Sequence, residues 1–129
     1  MLRGIKLIDC SKVYVKHSGT LKGVGAYASK NIKKDEIVEY GLMRRVKTDG
    51  NKNPYLFTWS ETRDVWAYAS GCATFYNTSK DPNVKMDRFY DRDEFTITAL
   101  QDIKQGDELL HTYKSLDWRT CFQELHQKL

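Results

Sequence analysis

The residues best placed to do chemistry begin at Tyr76-Asn77-Thr78-Ser79-Lys80-Asp81-Pro82-Asn83, directly after the apolar run Cys72-Ala73-Thr74-Phe75. Asn, Asp and Pro each favour tight, non-repeating backbone, for separate reasons. A polar loop that follows a strand-like run and carries two asparagines suits a small polar ligand. A second feature is Gly23-Val24-Gly25, where missing side chains let a backbone or a ligand approach closely. A third is Tyr113, which ends the run Leu109-Leu110-His111-Thr112-Tyr113. Taken alone, Tyr113 reads as a ring packed at the end of an edge strand, and His111 as a packed or half-exposed side chain.

Other chemistries are set aside on the same residues. Gly23-Val24-Gly25-Ala26-Tyr27-Ala28 spells Gly-x-Gly-x-x-Ala, but a dinucleotide site needs a helix that starts at the glycines. Asn31-Ile32-Lys33-Lys34-Asp35-Glu36 reads as a turn only a few residues later, so no such helix fits. Cys10, Cys72 and Cys121 contain no Cys-x-x-Cys pair. They read as reduced, buried thiols of an intracellular protein, and their spacing does not suit a zinc site. Asn77-Thr78-Ser79 matches a glycosylation acceptor, yet the first residues lack the apolar stretch of a secretory signal. No segment is long and apolar enough to span a membrane as a helix.

The elements that must position these residues are mostly strands. The 129 residues fit one domain, with 40% hydrophobic and 29% charged residues and a net charge of +4. That mild excess suits an acidic or mixed partner and does not establish nucleic-acid binding. Short strands are expected at residues 5–8, 13–15, 36–40, 42–46, 55–59, 65–69, 84–89, 94–100 and 109–113. Phe95-Thr96-Ile97-Thr98-Ala99 alternates cleanly, and 55–69 resembles a hairpin. In the tail, Trp118, Cys121, Phe122, Leu125 and Leu129 recur at helical steps. They predict a C-terminal helix capped by Ser115 or Asp117.

Three motifs then line up in order. The first is Lys22-Gly23-Val24-Gly25-Ala26-Tyr27-Ala28 with the turn and strand Ile32-Lys33-Lys34-Asp35-Glu36-Ile37-Val38-Glu39-Tyr40. The second is Phe75-Tyr76-Asn77-Thr78-Ser79-Lys80-Asp81-Pro82-Asn83. The third is Ile103-Lys104-Gln105-Gly106-Asp107-Glu108-Leu109, ending in Tyr113. Together they resemble the SET-domain protein-lysine methyltransferases over roughly residues 13–120. Size and Tyr55-Leu56-Phe57 look most like the minimal SET proteins of some large viruses. Thr78 stands where the family has His, and Asp35 where it has Gly. The family's zinc-binding C-terminal segment has no counterpart.

The resemblance implies a mainly β, β-clip-like fold of several short curved sheets. Its C-terminal segment would pass through the second motif in a pseudoknot-like arrangement. One domain would span residues 1–129, with a core at 13–113 and a closing segment at 114–129. The implied activity is methyl transfer from S-adenosylmethionine to a protein lysine, without a metal. Tyr113 would be catalytic, its hydroxyl at the transfer point, and with Tyr55 would line the lysine channel. Lys22, Gly23, Val24, Gly25, Tyr76, Asn77 and Thr78 would hold the cofactor, with Trp118 against its adenine. The implied partner is a lysine-bearing protein, a histone tail among the candidates, with homodimer formation open and no nucleic acid or membrane involved. An intracellular location follows, nuclear in a viral or eukaryotic setting and cytoplasmic otherwise. Two other readings stand beside it. One is a catalytically weakened SET-like module that binds a basic peptide. The other is a small basic β-domain that binds single-stranded nucleic acid through aromatics.

Overall fold

Alternating burial along the chain produces the strands, and the strands carry the site. The computed structural model describes residues 6–18, 23–113, 119–122 and 127. Among these, the strands are β1 (Val13–His17), β2 (Val24–Ala28), β3 (Ile37–Val46), β4 (Phe57–Thr58) and β5 (Trp66–Ala69), then β6 (Asn77–Thr78), β7 (Val84–Phe89), β8 (Glu94–Ala99) and β9 (Leu110–His111). The central sheet has the order β4-β5-β3-β8-β7, and all its pairings are antiparallel. β1 and β2 form an antiparallel ribbon, while β6 and β9 pair in parallel.

Phe95, Ile97 and Ala99 of β8 point into the core, as their alternation requires. They join Val38, Trp59, Tyr76, Val84 and Ile103 in one buried cluster. Gly41 lies opposite Phe95 in register, and the Phe95 ring occupies the space a β-carbon at Gly41 would need. A register irregularity between Ile37 and Glu39 breaks the alternation of β3. Val38 and Glu39 are consequently both buried, at 2% and 0% exposure.

Local turn chemistry brings the three motifs together. Asp35 adopts φ +72°, the left-handed conformation for which the family uses Gly. Asp is among the residues that tolerate it. Its N–H donates to the Ala99 carbonyl at 2.8 Å. Ile32 bridges to Ile103, and Leu109 N–H donates to the Ala26 carbonyl at 2.8 Å. The first and third motifs therefore lie side by side.

Several expectations differ from this picture: the strands expected at 36–40 and 42–46 are the single β3, and the one expected at 109–113 is β9, Leu110–His111. Residues 6–8 form no strand: Leu7 and Ile8 are 44% and 53% exposed, and the backbone pairs with the sheet at the bridge from Asp9 to Tyr40. The strand expected at 55–59 shrinks to Phe57–Thr58. Asn53 draws the preceding residues into a turn, accepting Tyr55 N–H on its side chain (3.0 Å) and Leu56 N–H on its carbonyl (3.2 Å). The expected tail helix falls largely on residues outside those described, and the described part is a 3-10 turn at Thr120–Phe122.

Candidate active site

The polar loop is stitched to the strand that carries Tyr113. β6 sets Asn77 opposite Leu110 and Thr78 opposite His111. Beyond the pair, Ser79 N–H donates to the His111 carbonyl (3.0 Å), and the Thr112 hydroxyl donates to the Ser79 carbonyl (2.7 Å). Asn83 closes the loop. Its Oδ1 accepts Leu110 N–H at 2.8 Å, and its Nδ2 donates to the Glu108 carbonyl at 2.9 Å. Both asparagines are thus committed to joining distant segments.

Tyr113 is held at both ends. Its backbone N–H donates to Thr78 Oγ1 at 3.1 Å, and its phenol donates to the Tyr76 carbonyl at 2.9 Å. Its ring lies 5.0 Å from that of Phe122 and 5.1 Å from that of His111. Burial, reinforced by the charge of Glu108, pushes the phenol up to about 12. Tyr113 is therefore a neutral hydroxyl at physiological pH. The proton is engaged by Tyr76, and the oxygen lone pairs remain to accept.

Behind the loop lies a buried carboxyl that the motifs did not single out. The Tyr76 phenol donates to Glu39 Oε1 at 2.8 Å, and Cys72 N–H donates to Glu39 Oε2 at 2.9 Å. Burial dominates and raises Glu39 to about 7, against the pull of these two hydrogen bonds. Burial also pushes the Cys72 thiol up to about 12, with the Glu39 charge adding to it. Glu39 thereby fixes the residue whose carbonyl receives the Tyr113 hydroxyl.

The Gly-x-Gly strand flanks Asn77. Asn77 Nδ2 donates to the Val24 carbonyl at 3.0 Å and to Glu108 Oε2 at 2.8 Å. Both amide hydrogens are used, and Oδ1 has no partner among the described residues. A β-carbon on Gly25 would stand 2.5 Å from Glu108 Oε2 and 3.1 Å from Asn77 Nδ2. Gly25 is required by this close approach. Gly23 takes φ +80°, and open space surrounds the position of its missing β-carbon.

A cleft opens beside Tyr113. Its walls include Pro54, Leu56, Phe57, Thr58, Tyr76, Arg88, His111, Arg119 and Phe122. Burial, with the nearby charge of Arg88, holds His111 down at about 3, so the ring is neutral. Arg119 is 2% exposed and donates to the carbonyls of Gly50 (2.7 Å) and Asn53. Its guanidinium also lies over the rings of Trp66 and Phe122.

The structure therefore brings Gly23, Val24, Gly25, Asn77, Thr78 and Tyr113 to one place. Tyr76 joins them through its backbone carbonyl, because its ring is 1% exposed and its phenol belongs to Glu39. Tyr55 is 64% exposed and is not among the residues that wall the cleft; its neighbours Pro54, Leu56 and Phe57 are. Lys22 and Trp118 lie outside the described residues. Sequence reasoning missed Glu39, Glu108, Arg88 and Arg119. Glu108 sits inside the third motif and could have been weighed there. Glu39 is hidden by the irregularity in β3, and no local pattern marks the two arginines. Among the described residues no cluster of His, Cys, Asp and Glu could hold a metal ion.

This fold and this arrangement have relatives. The SET domain family model matches residues 23–114, and the chain belongs to that family. A curated relative is the histone-lysine N-methyltransferase EZH2 of Chaetomium thermophilum, 31% identical over 111 residues. The match covers 70% of this chain and 7% of that protein, so the chain corresponds to a small part of its relative. Among solved structures, an active polycomb repressive complex 2 in its basal state has a chain with TM-score 0.65 and 26% identity, covering 81% of this chain and 15% of that one. The Chaetomium thermophilum complex in an autoinhibited conformation, bound to S-adenosylmethionine, has a chain with TM-score 0.69 and 22% identity, covering 93% and 17%. A Plasmodium falciparum protein matches with TM-score 0.65 and 24% identity over 80% of this chain and 97% of its own.

Proposed function

We propose that this chain transfers a methyl group from S-adenosylmethionine to the ε-amine of a protein lysine, with histone tails the first substrates to test. The observation that carries the reading is the double tether of Tyr113, whose N–H goes to Thr78 and whose hydroxyl goes to Tyr76, on the wall of the cleft. Likeness to the minimal viral SET proteins rests on size and Tyr55-Leu56-Phe57, and serves as a guide to substrates.

The residues present suit the cofactor's amino-acid end. Asn77 Oδ1 is an acceptor held in place by its own amide hydrogens, as an α-ammonium group would require. Gly23, one residue before the Val24 carbonyl that Asn77 engages, leaves open space around the position of its missing β-carbon. When bound, S-adenosylmethionine supplies a methyl group on a sulfonium, whose C–S bond breaks with its electron pair as the N–C bond forms.

The chain's own task is to present a neutral amine in line with that bond. A free lysine has a pKa of ~10.4, so neutrality at pH 7 costs about 4.6 kcal/mol. Desolvation in the cleft lowers that cost by disfavouring the ammonium. With its own proton on Tyr76, the Tyr113 oxygen accepts an amine N–H and so turns the nitrogen lone pair towards the methyl group. Positioning of this kind supplies roughly 7–11 kcal/mol of a barrier.

Methyl transfer to a histone and peptide panel tests the reading. Tyr113→Phe is expected to reduce the rate roughly 10²-fold while leaving cofactor affinity, read by calorimetry, unchanged. Undiminished transfer by the variant would remove Tyr113 from its role. Cofactor binding by the wild type without turnover on any substrate would favour the peptide-binding module instead.

A further inference from the structure

Glu39 is fully buried and does not wall the cleft, whereas Tyr76, which it holds, does. Its two carboxyl oxygens take different partners. Oε1 accepts the Tyr76 phenol at 2.8 Å, and Oε2 accepts Cys72 N–H at 2.9 Å. Gly71 makes the second contact possible, since a β-carbon there would collide with Oε2. The carboxyl thus ties both ends of one short segment, which runs from Cys72 through the 3-10 turn Ala73–Phe75 to Tyr76.

Tyr76 stands between that turn and β6, with extended backbone at φ −73° and ψ 123°. Its carbonyl receives the Tyr113 hydroxyl at 2.9 Å. Its ring is held at the tip by Glu39 and lies edge-on to His111, with centroids 6.1 Å apart. Ring and carbonyl share one Cα, so whatever fixes the ring limits where the carbonyl points. Burying a carboxyl opposes folding, and a neutral side chain of the same shape would cost less. A glutamine there, with one acceptor oxygen in place of two, could not accept from both Tyr76 and Cys72.

We propose that Glu39 is a positioning residue for methyl transfer: through the Tyr76 phenol it sets the direction of the Tyr76 carbonyl and, with it, the Tyr113 hydroxyl. This rests on the methyltransferase reading and deepens it. Glu39 acts from behind the cleft, along a line of contacts that leads from β3 through Tyr76 to the residue proposed to orient the amine.

The test compares wild type, Glu39→Gln, Tyr76→Phe, Tyr113→Phe and the double variant of Tyr76 and Tyr113, each shown to be folded by thermal melting. Tyr76→Phe keeps the ring and loses the phenol, so it tests the link even where Glu39→Gln does not fold. Both Glu39→Gln and Tyr76→Phe are expected to lower kcat roughly tenfold, a misplacement smaller than the ~1 Å that costs about 10²-fold. KM for a lysine peptide and affinity for S-adenosylmethionine should stay unchanged. In the Tyr113→Phe background no hydroxyl remains to be aimed, so Tyr76→Phe should lower the residual rate no further. Losses that multiply across the two sites overturn the proposal, as does a loss confined to KM.

A second readout is independent of activity. In protein labelled with 13C at tyrosine Cζ, the Tyr113 signal is identified by its disappearance in Tyr113→Phe. It should move in Glu39→Gln, although residue 39 makes no contact with Tyr113, and a signal that stays in place sinks the link. If wild type transfers no methyl group to any peptide while the signal moves, the function reading fails and the link from Glu39 to Tyr113 stands. If neither occurs, both fall.

Discussion

Thr78 and Tyr113 are joined by a hydrogen bond from the Tyr113 backbone N–H to the Thr78 hydroxyl, 3.1 Å long. Thr78 stands at the position where the SET resemblance places His, and the hydroxyl keeps the loop tied to the residue proposed to orient the amine. Thr78→Val preserves shape and removes the acceptor. It is expected to cost roughly 1–3 kcal/mol of stability, because the Tyr113 N–H is left without its partner, and to lower methyl transfer. Thr78→Ser should retain both. Urea denaturation and a transfer assay on the three proteins check this, and equal behaviour of Val and Ser would show that the hydroxyl does nothing.

Gly25 and Gly41 predict opposite outcomes for the same substitution. In Gly25→Ala the new β-carbon meets the carboxylate end of Glu108, which must swing aside and give up its hydrogen bond from Asn77. The fold should survive, and affinity for S-adenosylmethionine should fall by about tenfold or more, roughly the loss of one good hydrogen bond. In Gly41→Ala the β-carbon meets the Phe95 ring inside the core, and overpacking there costs about 1–3 kcal/mol or more. Thermal melts and calorimetry separate the two.

Asp35 should respond to backbone conformation rather than to charge. At φ +72° a β-branched residue is strained, so Asp35→Val is expected to lose roughly 1–2 kcal/mol. Asp35→Gly should be neutral or slightly stabilising. Denaturation midpoints give the answer.

Glu39 and His111 give stability opposite dependences on pH. Glu39 is raised to about 7, so its contribution is complete below the ordinary glutamate range and is lost as pH rises through 7. His111 is lowered to about 3, so its contribution is present above about 6.5 and is lost as pH falls through 3. In wild type the two slopes oppose each other between these limits. Glu39→Gln removes the first alone. Its stability relative to wild type should therefore improve between pH 4 and pH 8, by on the order of 3 kcal/mol. A flat difference across that range would mean that Glu39 titrates normally.

The sequence by itself determined most of the strands and the three motifs carried on and between them. Period-two alternation at Phe95, Ile97 and Ala99 specified β8 because a pleated strand offers alternate side chains to one face. The order of the three motifs, through the resemblance it carries, led to the expectation that Asn77, Thr78 and Tyr113 lie together, and the polar loop at 76–83 is where their strands pair. Local pattern reports which face of a segment is buried and not which distant segment covers it. Only the tertiary structure decided that β6 pairs with β9 and that Glu39 turns inward at the irregularity in β3. It also turned Tyr55 outward and brought Arg88 and Arg119 to one cleft. Those outcomes depend on long-range packing and on the cost of burying charge, and neither leaves a periodic trace in the chain.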